Sequence, residues 1–137
     1  GMASINGQSK GKGMNLNQVT VSVTDVARSI GFYQRLGLQL IVESLPDYAR
    51  FCCPDGQATF SLSRVDHVLP SQTLIYFESA DLDQMVAQLQ ANGVQFSRLP
   101  ADQPWLWREA YLQDPDGNPL CLYFAGENRL NPPWRIA

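Results

Sequence analysis

A repeated order of secondary-structure signals constrains the fold of this chain more than any other feature of its sequence. In each half, an alternating strand pattern is followed by an amphipathic helix and then by three further strand patterns. The first helix begins after Asp25 and ends at Gly37, and the second begins after Asp81 and ends at Gly93, so both spans are twelve positions long. Aspartate is a preferred helix N-cap, and glycine readily takes the left-handed conformation after a last helical turn. The sequence therefore predicts two copies of one β-α-β-β-β unit.

The predicted elements of the two copies correspond one to one. The first copy has a strand over 18–23, a helix with an apolar stripe of Val26, Ile30, Tyr33 and Leu36, and strands over 38–43, 48–53 and 58–64. The second has a strand over 73–79, a helix in which Gln84 forms a capping box with Asp81, and strands over 94–97, 107–113 and 120–124. We expect an α+β fold of two tandem modules, about 16–65 and 72–125, whose curved mixed sheets carry helices on one face and enclose a cleft on the other.

The two ends of the chain differ from the repeat. Residues 1–13 hold four of the ten glycines and both lysines with almost nothing apolar, which predicts a disordered leader or an expression-tag remnant. Residues 14–137 are predicted to form a single domain with a C-terminal tail over 126–137. The tail contains Pro132, Pro133 and Trp134, so we expect it to pack on the body or on a second subunit.

Charge and composition exclude several classes of partner. The formal net charge is −3. Beyond residue 13 there are eight arginines and thirteen carboxylates, and this excess of negative charge disfavours binding to nucleic acid or to anionic membranes. No apolar run reaches the ~18 residues of a membrane span and no secretory leader is present, so a soluble, cytoplasmic protein is expected. The three cysteines, Cys52, Cys53 and Cys121, have no pairing framework and fit a reducing compartment.

Several short motifs, in this order, resemble the vicinal oxygen chelate superfamily. They are Val-Thr-Asp at 23–25, Phe-Tyr at 32–33, Leu-Gly-Leu at 36–38 and Asp-Pro-Asp-Gly-Asn at 114–118. The superfamily includes glyoxalase I, extradiol dioxygenases, and the fosfomycin and bleomycin resistance proteins, and the resemblance covers about residues 16–125. It implies paired modules around a cleft and, in the enzymes, a divalent metal held by the opening and closing strands of both modules.

The family's metal-ligand positions carry unsuitable residues in this chain. They fall on Gln18 and Leu74 on the opening strands, on Cys121 on the second closing strand, and on Ser61 on the first. An ungapped overlay would give Phe60 instead of Ser61. None of these residues is a carboxylate or an imidazole, and the only histidine, His67, lies between the modules, so no protein-bound metal or other cofactor is expected.

Within the superfamily, residues 103–109 resemble the bleomycin resistance branch, which carries a Pro-Trp-Gly…Arg-Glu segment before the same turn. Here Leu106 stands in place of the glycine and Trp107 follows it. Members of this branch bind an antibiotic in a dimer cleft without a protein-held metal. The resemblance therefore implies a homodimer that binds a small molecule.

Candidate ligand contacts lie on the predicted inner faces of both sheets. Alternation places Trp105 and Trp107 on one side, where they would stack on a planar or cationic guest or cover a sheet edge or subunit contact. Glu78 would act as a general base if burial raised its pKa, or would pair with Arg108 or Arg50. The complete set of candidate ligand-binding residues is Gln18, Thr20, Ser61, Tyr76, Glu78, Trp105, Trp107, Arg108, Cys121 and Tyr123.

The favoured hypothesis is a small-molecule-binding protein of the bleomycin-resistance type that sequesters a hydrophobic or planar ligand. The first alternative is a lyase, isomerase or dioxygenase with an atypical or metal-free site. The second is an interaction module whose cavity is filled by its own side chains. An open pocket would count against this last alternative.

Overall fold

The structure is a computed structural model that describes residues 11–136. The part of the predicted leader at residues 1–10 lies outside the described residues. In chain order the elements are β1 (Gln18–Val23), α1 (Val26–Arg35), β2 (Gln39–Ser44), β3 (Tyr48–Cys52), β4 (Thr59–Arg64), β5 (Ile75–Glu78), α2 (Leu82–Ala91), β6 (Arg98–Asp102), β7 (Arg108–Gln113), β8 (Pro119–Phe124) and α3 (Glu127–Leu130).

The strands form two four-stranded mixed sheets with equivalent topology. The first has the order β1-β4-β3-β2 and the second β5-β8-β7-β6. In each sheet the opening strand is parallel to the closing strand, and the other neighbours are antiparallel. This duplicated arrangement confirms the predicted fold class.

The two long helices begin differently. The Asp25 side chain accepts a hydrogen bond from the Arg28 main-chain N–H at 3.1 Å, as expected for an N-cap. The Asp81 side chain makes no such bond, so the capping box predicted with Gln84 is wrong. Asp81 has ψ of 52° rather than the extended value of a capping residue, and its N–H is bonded to Ser79 Oγ.

Several predicted strand bounds differ from the observed ones, and two of these differences have a clear physical reason. The strand expected over 94–97 lies at Arg98–Asp102, because Val94 is buried in the core directly after α2 and sheet pairing starts only when the Ser97 N–H bonds the Tyr111 carbonyl. The strand expected from residue 107 begins at Arg108, since residues 103–106 form a turn in which the Leu106 N–H bonds the Gln103 carbonyl. Leu106 has φ of +70°, a left-handed backbone conformation that glycine adopts more readily than leucine.

The helix-bearing sides of both modules share one hydrophobic core. Phe60 of β4 and Phe77 of β5 meet with ring centroids 5.5 Å apart. The hydroxyl of Tyr33 in α1, itself fully buried, donates to Asp114 Oδ2 at 2.8 Å in the turn between β7 and β8. The face of each sheet that points away from this shared core is called its concave face. None of the helices in residues 11–136 is long and apolar enough to cross a membrane.

Candidate functional site

The concave face of the second sheet carries three interlocking rings, which we call the aromatic cluster: Tyr76, Trp107 and Tyr123. Trp107 stacks on Tyr123 with centroids 4.9 Å apart, and Tyr76 meets both edge-on at 6.0 and 5.4 Å. Trp107 also donates its Nε1–H to the Asn128 carbonyl at 3.3 Å, which joins the cluster to α3. Tyr76 remains 44% exposed, so its ring is presented to solvent on a rigid support.

A buried carboxylate lies beside the cluster. Glu109 is only 2% exposed, and its two oxygens accept hydrogen bonds from the Trp105 indole, at 2.8 Å, and from the Tyr111 hydroxyl. Among the described residues no cation pairs with Glu109. Burial and the bond to Glu109 raise the pKa of Tyr111. The bond to Glu109 fixes the indole of Trp105, which is itself 45% exposed.

Cys121 lies within this face and is fully buried. Burial, followed by the negative charge of Glu109, raises its pKa to about 12. The side chain is therefore a neutral thiol at physiological pH and packs as a small apolar group. Burial likewise raises the pKa values of Tyr76 and Tyr123, and the charge of Glu78 adds to the effect on Tyr123.

Glu78 ends β5 and joins it to the start of α3. Its Oε2 accepts the main-chain N–H groups of Ala125 at 2.9 Å and Gly126 at 3.0 Å. It pairs with neither Arg108 nor Arg50 within the described chain. Glu78, Tyr76 and Tyr123 also line a cleft of about 760 Å³, whose other wall is formed by Leu36 and Leu38, just after α1, and by the turn between β3 and β4.

Arg108, a predicted ligand contact, faces away from these residues. Its guanidinium donates to both oxygens of Asp83 at 2.8 and 3.1 Å and to Asp102 at 3.0 Å. These bonds lie on the helix-bearing side of β7, since Ala110, two positions further on, is in the core. Arg108 therefore lies on the opposite face of β7 from Glu109 and Tyr111, as strand alternation requires, and its role as a ligand contact stays a prediction.

The concave face of the first sheet carries a polar network. Gln18 Nε2 donates to Ser61 Oγ at 2.9 Å and to Thr20 Oγ1 at 3.1 Å, and Gln18 Oε1 accepts from Thr59. Ser61 is fully buried and Phe60 points into the core, so Ser61 and not Phe60 lies on the concave face. The candidate residues Gln18, Thr20 and Ser61 therefore lie together there.

Two residues that the sequence reasoning did not select extend this network. The Tyr48 hydroxyl lies 2.8 Å from Ser61 Oγ and accepts the Nε–H of Arg50 at 3.0 Å. These bonds lower the pKa of Tyr48, the bond with Ser61 having the larger effect. The side chains of Tyr48 and Arg50 are two positions apart and therefore lie on the same face of β3, as those of Glu109 and Tyr111 do on β7. Applying alternation to these strands would have found all four.

The positions that would hold the family's metal do not fit one. Gln18 and Ser61 are neutral and bonded to each other, Leu74 has no donor atom, and Cys121 is a single soft donor on a different sheet. Across residues 11–136 no three histidine, cysteine, aspartate or glutamate side chains are grouped as metal ligands would be. This donor set suits neither zinc nor iron, nor a hard cation that requires carboxylates.

This duplicated fold, with concave faces opposite a shared core, defines a protein of the glyoxalase class. The model of the Glyoxalase/Bleomycin resistance protein/Dioxygenase superfamily matches residues 15–122, and the chain belongs to that family.

The proteins and solved structures to which this chain is similar include an enzyme and a resistance determinant. An uncharacterized protein of Mycolicibacterium smegmatis (strain ATCC 700084 / mc(2)155) is 32% identical over 110 residues, which cover 79% of this chain and 91% of the relative. A trivalent organoarsenical cleaving enzyme of Bacillus sp. (strain MD1) is 27% identical over 131 residues, covering 88% and 81%. The crystal structure of a bleomycin resistance determinant encoded on transposon Tn5 superimposes with a TM-score of 0.69 at 21% identity, covering 81% of this chain and 98% of that one.

Proposed function

We propose that this protein binds a planar or hydrophobic small molecule, in the manner of the bleomycin resistance proteins, without a metal held by its own side chains. The observation that carries the proposal is that Tyr76 and Trp105 stay 44% and 45% exposed while fixed on a rigid polar and aromatic support. Such rings offer stacking area at small entropic cost. The adjoining cleft of about 760 Å³ has the size of a typical ligand site.

The enzymatic alternative requires a base or a metal-ligand set. One oxygen of Glu78 already accepts two main-chain hydrogen bonds, which favours a structural role at the start of α3 over proton transfer. The metal positions carry an unsuitable donor set, as described above. The alternative of a filled interaction module is opposed by the open cleft beside Tyr76. Binding without catalysis is therefore the function that these residues support best.

We further propose that the binding unit is a homodimer. Among the described residues, no side-chain hydrogen bond or ring contact joins the polar network around Ser61 to the aromatic cluster, because the modules meet through their core sides. Each concave face is then half of a site. The strands β1 and β5 are both edge strands of their sheets, so a second copy could pair with them and bring the two kinds of face together.

A ligand screen tests the binding proposal. The full chain is titrated with bleomycin and with lumichrome, a neutral flavin-like heterocycle, while tryptophan fluorescence and thermal unfolding are followed. A ligand present at 100 times its Kd should stabilise the fold by about 2.7 kcal/mol. Addition of EDTA or of zinc, iron or manganese salts should leave that affinity unchanged. Light scattering coupled to gel filtration should give the mass of two chains.

Matched variants locate the site. Tyr76→Ala and Trp105→Ala should each weaken binding at least about tenfold, because each removes a stacking surface. Trp134→Ala is the control, since Trp134 is 57% exposed and lies in the C-terminal tail. If Trp134→Ala weakens binding as much as Trp105→Ala, or if neither compound binds, the proposed site is refuted.

A further inference from the structure

Arg50 is the only half-buried arginine of the described residues that lacks an acidic partner. The ion pairs in residues 11–136 involve Arg28, Arg64 and Arg108, and Arg108, the other half-buried arginine, is bonded to two aspartates. Arg50 uses its Nε–H on the Tyr48 hydroxyl, and within residues 11–136 its terminal nitrogens make no hydrogen bond. Burying part of a guanidinium without a counter-ion costs free energy unless a ligand supplies one.

The neighbouring hydroxyl points to the same kind of ligand. Ser61 Oγ already accepts from Gln18 and is fully buried, so its own hydrogen finds an acceptor within the described chain only at the Tyr48 oxygen. Tyr48 then accepts two hydrogen bonds, from Ser61 and from Arg50. Its own hydrogen remains available on the concave face. Tyr48 and Arg50 therefore both present donors there.

Gln18, Thr20 and Thr59 hold this arrangement in place from the opening and closing strands. Gln18 donates to Ser61 and Thr20 and accepts from Thr59, so the amide cannot rotate without breaking three bonds. The Arg50 guanidinium also lies over the Tyr48 ring, 5.5 Å from its centroid. The Tyr48 hydroxyl and the Arg50 guanidinium are therefore held in fixed positions before a ligand binds.

We propose that Tyr48 and Arg50 form an oxyanion-binding site, on the concave face of the first module, for a carboxylate group of the ligand. A planar guanidinium with two free terminal nitrogens matches the two oxygens of a carboxylate, and a hydroxyl donor beside it adds a third hydrogen bond. The site lies on a chain of net charge −3, so selectivity for an anion comes from these local donors and not from overall attraction. The inference depends on the proposed function only for the statement that the ligand also has an aromatic part; carboxylate binding at Tyr48 and Arg50 does not depend on it.

Benzoate and benzamide test the site because they have nearly the same shape and differ in charge. Both are titrated into the full chain labelled with ¹⁵N-arginine, and the side-chain resonances of Arg50 are followed by NMR. Benzoate should shift these resonances saturably, with an apparent affinity at least about tenfold higher than that of benzamide. In the unmodified protein, equal affinities for benzoate and benzamide, or benzoate-induced shifts confined to other arginines, would overturn the proposal.

Variants then assign the selectivity to the two donors. Because two of these variants lack Arg50, their affinities for benzoate and benzamide are measured by isothermal titration calorimetry, with the unmodified protein measured in the same way. Arg50→Gln should abolish the preference for benzoate, Arg50→Lys should retain only part of it, and Tyr48→Phe should reduce it several-fold. Arg98→Gln, which removes an exposed arginine on β6, is the matched control and should leave the preference unchanged. A preference that survives Arg50→Gln would refute the assignment. The proposed function fails separately, if lumichrome and bleomycin give no response at the tryptophans, because the benzoate measurement is read at Arg50.

Discussion

The bond between Tyr33 and Asp114 ties the two modules together, and its removal has a defined expected cost. Asp114 is 4% exposed and accepts four hydrogen bonds: from the Tyr33 hydroxyl, from the main-chain N–H groups of Asp116 and Asn118, and from the Asn118 side chain. Tyr33→Phe removes one of these and leaves the ring in place. A hydrogen bond to a charged group contributes about 1.5–3 kcal/mol to stability. For a chain of this length the melting temperature should fall by about 5–10 °C.

Urea unfolding and calorimetry measure this change, with Tyr123→Phe as the matched control. Tyr123 is 6% exposed, and its hydroxyl makes no hydrogen bond within residues 11–136, so the same substitution there should change stability by less than about 0.5 kcal/mol. If Tyr33→Phe also stays within that limit, the hydrogen bond to Asp114 does not hold the modules together. The stability of their contact would then come from the shared hydrophobic core and from the other polar bonds between the modules, which join Thr24 and Arg28 to Asp116 and Asn118 to the Ser22 carbonyl.

Three further predictions concern the titration of the tyrosines, the Trp105 indole and the Cys121 thiol. The free energy of unfolding should fall as the pH rises above about 10, because four tyrosines have raised pKa values in the folded protein and release protons on unfolding: Tyr33, Tyr76, Tyr111 and Tyr123. The pKa of Tyr48 is lowered in the folded protein, so Tyr48 has the opposite effect on stability. Equal urea midpoints at pH 8 and 11 would contradict this prediction. Trp105→Phe should destabilise the fold by about 1–3 kcal/mol, since buried Glu109 loses a donor, whereas Trp134→Phe should be neutral in the same urea titration. In a Cys52→Ser/Cys53→Ser variant, Cys121 is the only thiol that Ellman's reagent can label. Because this thiol is buried and its pKa is raised, labelling at pH 8 should be at least about a hundredfold slower in the folded protein than in urea. Similar labelling rates would show that the thiol is accessible.

Local signals in the sequence were sufficient for most of the fold. Alternation predicted the β1 strand at its observed bounds, and the aspartate and glycine at the ends of the first helix predicted its start and stop. The same signals failed at β6, where Val94 and Phe96 alternate because they pack against the core after α2 and not because they pair in a sheet. Periodicity reports which side chains are buried. It does not report which backbone groups are bonded.

The candidate site was only partly accessible to this reasoning. Tyr76, Trp107 and Tyr123 were selected from alternation and lie together as the aromatic cluster. Arg108 became a candidate because it lies in residues 103–109, which resemble the related branch, but in the structure it lies on the opposite face of β7 from Trp107 and bonds to Asp83. Glu109 was overlooked, since a glutamate in a strand is usually solvated and only its neighbours Trp105 and Tyr111 make its burial tolerable.

The sequence by itself determined the duplicated unit, the family and the unsuitable residues at the metal positions, because each depends on residue identity and on spacing along the chain. Tertiary structure decided which polar groups satisfy one another. Gln18, Ser61 and Tyr48 come from three strands, and the direction of their hydrogen bonds, with Arg50 left without an acidic partner, follows only from how those strands are paired. Hydrogen bonds and burial depend on distances between groups that are remote in sequence, and those distances exist only in the folded chain.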